Sequence, residues 1–318
     1  DGDQIELPDI WMPEGDVWLV PRTDKTFSVT FGGKLNEKWE NGHCDVTVDN
    51  PDVVQAVPYD MMISGADSKA VNILRLWKAC DPMNFNMNLF SQGQYVKAME
   101  EDTNAEIISK VLYPSDNHTE GKYLRLSQQY FLVSASLQSI IADHLASYGS
   151  LSNFAEKVAI HINDTHPAMV IPELMRILID NYSYGWDDAW NLVTSTVSYT
   201  NHTVMPEALE TWNEDLFRLK LPRIYQIVKE INNRFSAEMM EKTGGDTQKV
   251  SRMAIISFGQ IKMANLCVAV CHSVNGVSKL HSEIVKHTVF PEVYSVAPEK
   301  FTNVTNGIAH RRWLCQAN

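Results

Sequence analysis

AIHINDTHPAMVIPELMRIL (residues 159–178) opens as a short apolar strand and closes with the apolar spacing of a helix. A second stretch, TVSYTNHTVMPEALETW (196–212), repeats this order: an apolar strand, polar residues 201–203, and a helix that Pro206 is well suited to begin. Two strands that end in polar residues and lead into helices predict a parallel α/β sheet. Because ligands of such sheets bind beyond the carboxyl ends of the strands, we expect both polar segments to line one site.

The rest of the chain predicts a β-rich start followed by helices. Residues 1–60 carry short alternating runs broken by Gly, Pro, Asn and Asp, and the tail FTNVTNGIAHRRW (301–313) is predicted to be a loop. We therefore expect an α/β fold with a parallel sheet and flanking helices. Its β-rich part would cover residues 1–65 and its α/β part residues 66–318. Helical spacing is found at 68–79 (SKAVNILRLWKA), 124–148, 222–235 and 251–273.

Composition excludes several classes of partner. The chain has 318 residues, 44% of them hydrophobic, and a formal charge of −12. The negative charge argues against a nucleic-acid ligand. No apolar run reaches the roughly 18 residues of a membrane span, and the N-terminus does not resemble a signal peptide. An odd number of scattered cysteines suits a reducing cytosol, so we expect a cytoplasmic protein. The cysteines are Cys44, Cys80, Cys267, Cys271 and Cys315.

The polar segments predict a ligand with hydroxyl groups. Asn, Asp, His and Thr offer directional donors and acceptors with little net charge, as a sugar requires. A third polar segment, LYPSDNHTEGKYLRL (112–126), is predicted to be a mobile loop beside the site. Two alternatives stay open at this point. The segments could be ordinary turns and helix caps. They could also form a metal site from His161, Asp164, His166 and His202.

Several long segments closely resemble the α-glucan phosphorylases, the family of glycogen, starch and maltodextrin phosphorylases. That resemblance implies a GT-B fold, in which two Rossmann-like domains face each other across a cleft. It also implies a homodimeric enzyme that uses inorganic phosphate to release glucose 1-phosphate from an α-1,4-glucan with retained anomeric configuration. Pyridoxal phosphate would be its cofactor. The segments are INDTHPAMVIPELMRIL, YTNHTVMPEALETW, LYPSDNHTEGKYLRLSQQYFLVSASLQ, VNILRLWKA, NLCVAVCHSVNGVSKLHSEIVK and FTNVTNGIAHRRWL.

The resemblance also implies roles for individual residues. His202 is similar to the histidine whose side chain and carbonyl approach the transferred sugar, and it is our candidate catalytic residue. Asp164 and His166 resemble residues that line the glucosyl pocket. The remaining matches are Asp116 and Asn117 on the mobile loop, Glu207 beside the reducing end of the sugar, and Asn306 near a distal hydroxyl.

The resemblance covers the first domain of the family and stops near the crossover to the second. The cofactor lysine and the basic residues that grip phosphate belong to that second domain, so we expect no cofactor-binding residue in this chain, no metal, and no activity for the chain alone. An alternative from another class is a stand-alone carbohydrate-binding or scaffold module derived from the enzyme.

Overall fold

The structure, a computed structural model, describes residues 18–40, 43–65, 67–81, 87–98 and 100–310. The side chains of residues 39–40, 43–44 and 101–102 lie outside this description. So do the predictions made above for residues 1–17, for the Cys44 side chain, for Cys315 and for the tail beyond His310.

Strands and helices alternate in the second half of the chain. The strands are β1 (Val20–Pro21), β2 (Phe27–Phe31), β3 (Lys34–Glu40), β4 (His43–Asp49), β5 (Asp52–Ser64), β6 (Val71–Cys80), β7 (Ile160–Asn163), β8 (Val197–Thr200), β9 (Thr211–Asn213), β10 (Ile256–Ser257), β11 (Gln260–Lys262), β12 (Val274–Gly276) and β13 (Phe301–Asn303). The helices are α1 (Met87–Ser91), α2 (Tyr95–Ala98), α3 (Glu100–Lys110), α4 (Thr119–Tyr148), α5 (Phe154–Lys157), α6 (Val170–Arg176), α7 (Trp186–Thr196), α8 (Glu214–Lys220), α9 (Pro222–Lys242), α10 (Thr247–Met253), α11 (Met263–Val270), α12 (Lys279–Ile284) and α13 (Pro291–Val296). Short 3₁₀ turns cover Thr23–Lys25, Pro206–Ala208 and Pro298–Lys300, and π turns extend α6 through Ile177–Asn181 and α12 through Val285–Val289.

The chain forms two compact units. Unit 1 contains the described residues up to Thr30 together with Asp52–Ser139, and unit 2 contains Phe31–Pro51 and the described residues from Ile140 onward. The sheet of unit 1 is built on the long strand β5, which pairs with β1, with β2 and, antiparallel, with β6. The predicted β-rich start is therefore confirmed for the described residues.

The prediction of a helix at 68–79 is wrong, because β6 occupies this stretch. All ten residues of β6 pair with β5, from Val71 opposite Ser64 to Cys80 opposite Gln55. Alternate residues point to one side, where Arg75 Nη1 donates to Ser139 Oγ (2.6 Å) and Trp77 Nε1 donates to Ser136 Oγ (3.0 Å). The charged side chain of Arg75 therefore lies on the inward face of β6. Because of it, the apolar residues do not alternate strictly with polar ones, and the two-residue period of the strand cannot be seen from apolar spacing alone.

A buried ion pair joins β5 and β6. Asp60, whose side chain is completely buried, accepts two hydrogen bonds from Arg75, at 2.6 Å from Nε and 2.7 Å from Nη2. These hydrogen bonds lower the pKa of the Asp60 carboxyl below its usual value, against the opposing effect of burial. The pair is the main polar contact inside this antiparallel hairpin.

Unit 2 contains the predicted parallel sheet. Its strands run in the order β7, β8, β12 and β13, and every neighbouring pair is parallel. The strand–helix patterns at 158–180 and the strand at 196–200 are confirmed by β7, α6 and β8. The helices predicted at 124–148 and 222–235 are confirmed by α4 and α9.

Three other predictions in unit 2 are wrong in part. Pro206 begins only a 3₁₀ turn, and the chain then enters β9 instead of a helix. The predicted helix 251–273 is divided by the hairpin β10–β11, which joins β9 in a small antiparallel sheet. Helix α10 ends at Met253, because the backbone of Ala254 is already extended. The hairpin then turns at Phe258 and Gly259, both with positive φ, 51° and 69°. The predicted loop at 301–313 begins with β13.

The hairpin β3–β4 is joined to residues far along the chain. The N–H of Gly32 donates to the carbonyl oxygen of Lys220 (2.8 Å), and Lys220 Nζ lies 4.8 Å from the ring centre of Phe31. Gln226 on α9 donates to Glu37 (2.6 Å). These contacts place the hairpin within unit 2.

The interior of unit 2 is apolar, and α6, α9 and α11 supply much of it. Cys267 and Cys271 are both fully buried free thiols in this core. Burial raises the pKa of Cys271 to about 12. None of the helices among the described residues combines the length and the apolar character that crossing a membrane requires.

Candidate functional site

The carboxyl ends of the four parallel strands form one edge of the sheet. Asn163 at the end of β7 lies opposite Thr200 at the end of β8, and Thr200 lies opposite Asn275 on β12. Gly276 at the end of β12 lies opposite Asn303 at the end of β13. The polar segments after β7 and β8 therefore leave neighbouring strands, as the sequence predicts.

A side-chain hydrogen bond joins the first two strand exits. His202 follows β8, and its Nε2–H donates to Oδ1 of Asn163 at 2.6 Å. Both side chains are exposed, so the pair lies at the surface of the sheet edge. With Nε2 engaged in this way, a neutral His202 carries a free acceptor at Nδ1.

A hydrogen-bonded chain runs across the sheet below this pair. Thr200 Oγ1 donates its hydroxyl hydrogen to Oδ1 of Asn275 (2.7 Å). Thr200 Oγ1 in turn accepts a hydrogen bond from Nε2–H of His161 (2.5 Å). The Asn275 amide donates in turn to the carbonyl oxygen of Gly276 (3.0 Å). This network links β7, β8 and β12 and fixes the tautomer of His161.

Asp164 has a left-handed backbone with φ of 61°. Its N–H donates to the carbonyl oxygen of Thr200 (3.0 Å), which continues the β7–β8 pairing by one residue. Its carboxylate Oδ1 accepts from the N–H of Thr165 (2.6 Å). The left-handed turn directs the chain from β7 toward α6 within one residue, and Asp is among the few side chains that tolerate it.

Buried polar groups form the floor of the site. Thr165 Oγ1 donates to Oε2 of Glu210 (3.2 Å), and the Asn201 amide donates to the hydroxyl oxygen of Tyr199 (3.0 Å). Burial raises the pKa of Tyr199 well above its usual value, with a further contribution from nearby Cys267 and a smaller one from Asp164. The Tyr199 phenol is therefore neutral at physiological pH.

The other predicted residues of unit 2 occupy the same edge of the sheet in sequence order. His166 is exposed in the turn between β7 and α6, and Glu207 is exposed in the 3₁₀ turn that follows β8. The N–H of Asn306 donates to the carbonyl oxygen of Val277 (3.0 Å), which ties the segment after β13 to the segment after β12, while its side chain is exposed.

Asp116 and Asn117 belong to unit 1, in the loop before α4, and both are exposed. Asp116 forms an ion pair with Arg125 on α4. The N–H of Gly121 donates to Nδ1 of His118 (3.0 Å), and a β-carbon at Gly121 would overlap the carbonyl oxygen of Ser115. The loop predicted to be mobile is thus folded closely onto the first turns of α4.

The metal alternative finds no support in the described part of the chain. No group of three or more His, Cys, Asp or Glu side chains is placed there to hold a metal ion. His161 and His202 instead use Nε2 for hydrogen bonds to Thr200 and Asn163.

A separate groove of about 600 Å³ lies between the hairpin β3–β4 and the turn after α6. Two of its carboxylates already have partners: Asp180 pairs with both ends of Arg223 (2.6 and 2.9 Å), and Glu37 accepts from Gln226. None of the predicted site residues lines this groove. We regard it as a polar junction that holds the hairpin.

The sequence model of the family described as carbohydrate phosphorylase matches residues 1–318. The chain belongs to the carbohydrate phosphorylase family. This phosphorylase chain is 45% identical over 318 residues to a glycogen phosphorylase of Bacillus subtilis (strain 168), covering 100% of this chain and 39% of that protein. It is 45% identical over 322 residues to glycogen phosphorylase 2 of Dictyostelium discoideum, covering 100% of this chain and 32% of the relative. The muscle form of glycogen phosphorylase from Mus musculus is 44% identical over 328 residues, with 100% and 38% covered. This phosphorylase chain therefore spans 32% to 39% of the length of these curated relatives.

Sequence reasoning on this phosphorylase chain missed several residues of the site. Thr200, Asn275, Glu210 and His281 were not singled out. Thr200 could have been found as the last residue of a predicted strand. Asn275 lies in the three-residue strand β12, which is too short to show a period.

Proposed function

We propose that this chain forms the glucosyl-binding part of an α-1,4-glucan phosphorylase, in which a glucan and inorganic phosphate give glucose 1-phosphate and a glucan one unit shorter. The observation that carries the proposal is the hydrogen bond between His202 and Asn163, 2.6 Å long, which joins the exits of neighbouring parallel strands. Family membership over residues 1–318 and 44–45% identity to glycogen phosphorylases support it. The parent protein would be a hexosyltransferase of glycogen metabolism.

The chemistry of the strand exits suits a glucose ring, which offers hydroxyl donors and acceptors but no charge. Nδ1 of a neutral His202 is proposed to accept from a sugar hydroxyl. Its main-chain carbonyl oxygen is proposed to face the ring, where the negative end of the dipole would stabilise positive charge that develops at the anomeric carbon. The proposed pocket of unit 2 is completed by Asp164, His166, Glu207 and Asn306. For Asp116 and Asn117, which belong to unit 1, the proposed sugar-binding role rests on the family resemblance alone.

Pyridoxal phosphate is the proposed cofactor of the parent enzyme, where its phosphate group would supply acid–base catalysis. Burial lowers the pKa of Lys262 and of Lys300, as a Schiff-base lysine requires, but neither fits that role. Lys300 Nζ donates to the carbonyl oxygens of Val268 (3.2 Å) and Ala269 (2.8 Å) at the end of α11, and Lys262 lies in the small antiparallel sheet. We propose that the cofactor lysine lies in a part of the enzyme outside this chain, and we propose no metal.

The proposal extends to the whole enzyme. The parallel sheet would be the centre of the first domain of a GT-B fold, and the site would face a second domain that supplies the phosphate and cofactor contacts. The full enzyme would be a cytoplasmic homodimer. Without that second domain, this chain would bind glucan and release no glucose 1-phosphate.

Calorimetric titration with maltoheptaose tests the binding role. We expect the wild-type chain to bind and His202→Ala to bind about tenfold more weakly, because one or two directional hydrogen bonds are lost. The control is Asn233→Ala, which removes an exposed amide from α9 and should leave the affinity unchanged. Absence of wild-type binding at millimolar maltoheptaose, or wild-type affinity in His202→Ala, would refute the role.

A second assay tests whether release of glucose 1-phosphate depends on a second domain. The chain is incubated with glycogen and phosphate, and glucose 1-phosphate is measured. We expect none, and its release would contradict the proposed dependence on a second domain. A stand-alone sugar-binding module would also bind maltoheptaose, so the flanking reading frame separates the two: a neighbouring domain with a cofactor lysine favours the enzyme.

A further inference from the structure

His281 is a buried imidazole that the proposed function does not use. It lies in the first turn of α12 with only 5% of its surface exposed. Its Nδ1 accepts from the N–H of Val277, after β12, and its Nε2 contacts the carbonyl oxygen of Thr203, after β8, both at 3.1 Å. One ring therefore bridges the exits of two neighbouring strands.

The two partners fix the protonation of this ring. The N–H of Val277 can only donate, so Nδ1 must carry a lone pair, and the carbonyl oxygen of Thr203 can only accept, so Nε2 must carry the proton. A neutral imidazole in the Nε2–H tautomer satisfies both. Any other form would place two donors or two acceptors against each other inside a closed site.

The segment that His281 reaches carries His202. The N–H of Thr203 donates to Oδ1 of Asn201 (3.0 Å). Because a trans peptide points its carbonyl away from its N–H, this bond also directs the His202 carbonyl away from the Asn201 side chain. The next peptide carbonyl, that of Thr203, is the one that His281 holds. Two successive peptide groups are thus anchored, one by Asn201 and one by His281.

We propose that His281 is a positioning residue for sugar recognition: its Nε2–H holds the carbonyl of Thr203, so that the carbonyl and the Asn163-bound ring of His202 keep their directions toward the ligand. The hydrogen bonds of His281 rest on the geometry of α12, β8 and β12. Their effect on sugar binding rests on the proposed function. It assigns His281 no contact with the sugar.

Two substitutions separate the two hydrogen bonds of the ring. In His281→Gln, the side-chain Nε2–H can reach the position of the imidazole Nε2 and still donate to Thr203. In His281→Asn, Oδ1 can take the position of Nδ1 and still accept from Val277, but the donor to Thr203 is lost. Both replace a buried ring by a smaller amide. His281→Asn is one methylene shorter and loses more packing, and thermal unfolding measures that difference.

The readout is the imidazole N–H signal of His202 in samples labelled with ¹⁵N-histidine, recorded beside thermal unfolding and maltoheptaose titration. We expect the hydrogen-bonded His202 signal to be retained in His281→Gln and lost or broadened in His281→Asn. We expect about fivefold to tenfold weaker maltoheptaose binding in His281→Asn alone, the loss expected for one hydrogen bond. Equal behaviour of two folded variants, in either direction, would overturn the proposal.

The remaining outcomes are also decisive. If wild type does not bind maltoheptaose, the proposed function fails, and the His202 signal in the two variants still decides the positioning role. If neither variant folds, the wild-type spectrum decides: His281 with a proton on Nε2 alone supports the proposal, and a charged or Nδ1-protonated ring refutes it.

Discussion

Asp164 is the first residue after strand β7 and lies in the polar segment of the candidate site. Its φ of 61° lies in the left-handed region, where a β-carbon crowds the following carbonyl. Its carboxylate offsets part of that strain by accepting the N–H of Thr165 (2.6 Å). Backbone strain and a local hydrogen bond are therefore combined in one side chain.

We expect Asp164→Asn to unfold in urea close to wild type, because Asn tolerates the left-handed region and keeps the acceptor. Asp164→Ala should lose about 1–3 kcal/mol of the free energy of unfolding, since it keeps the strain and leaves the Thr165 N–H without its partner. Asp52→Ala, the same change on an extended strand residue, serves as the control. Equal midpoints for the Asn and Ala variants of Asp164 would contradict this explanation.

At the residue scale, the sequence predicts only part of the candidate site. It predicts that the segments holding Asn163 and His202 meet, because both follow apolar strands that precede helices. It does not predict Asn275 or His281. Their contribution depends on β12 lying beside β8, and a strand of three residues has no periodic signal that could show this.

At the scale of elements, local spacing and long-range pairing compete. The apolar residues of β6 fit a helix, yet a ten-residue ladder with β5 and the inward ion pair of Arg75 with Asp60 favour the strand. The long helices α4 and α9 could be predicted because their own periodicity extends over many turns. Strand β6, whose backbone hydrogen bonds come from β5 and whose apolar spacing fits a helix, could not.

The β5–β6 pair makes a prediction about acid stability. The folded-state pKa of Asp60 is lowered, so its ion pair contributes fully above the pKa of an unfolded Asp, near 3.9, and the contribution is lost as the pH falls through the folded value. We expect Asp60→Asn to cost about 3 kcal/mol at pH 7, because it leaves Arg75 buried without its charge partner.

Melting temperatures of wild type and Asp60→Asn, measured from pH 7 down to pH 2, test this. The difference should be constant above about pH 4 and shrink below it, where the wild-type carboxyl also becomes neutral. Asp52→Asn is the control, because its carboxyl is exposed. A difference that stays constant down to pH 2 would exclude the ion pair as the cause.

At the scale of the whole molecule, unit 1 leaves large apolar side chains in solvent. Val96 is 86% exposed, and Met87, Val111 and Leu112 are each more than 60% exposed. All four lie within residues 87–112 of the sequence, and exposed apolar side chains that form a contiguous patch commonly mark a surface that other chains cover. We expect the chain alone to self-associate, with a weight-average mass in sedimentation that rises with concentration.

Val96→Glu should reduce this concentration dependence, because a charge would have to be buried on association. Leu219→Glu, which adds the same charge to an exposed apolar position on α8 of unit 2, should leave it unchanged. An equal effect of both variants would show that net charge, and not this surface, controls association.

Unit 2 is built from two separated pieces of chain, and this affects how it can form on the ribosome. The β3–β4 hairpin emerges before α9, because its contact from Gln226 to Glu37 spans 189 residues. At about 5–20 residues per second, roughly 10–40 seconds of synthesis separate the two halves of that contact. An isolated two-stranded ribbon is marginally stable in water. The speed of translation beyond Pro51 therefore sets the time during which the nascent hairpin lacks its contacts with the rest of unit 2.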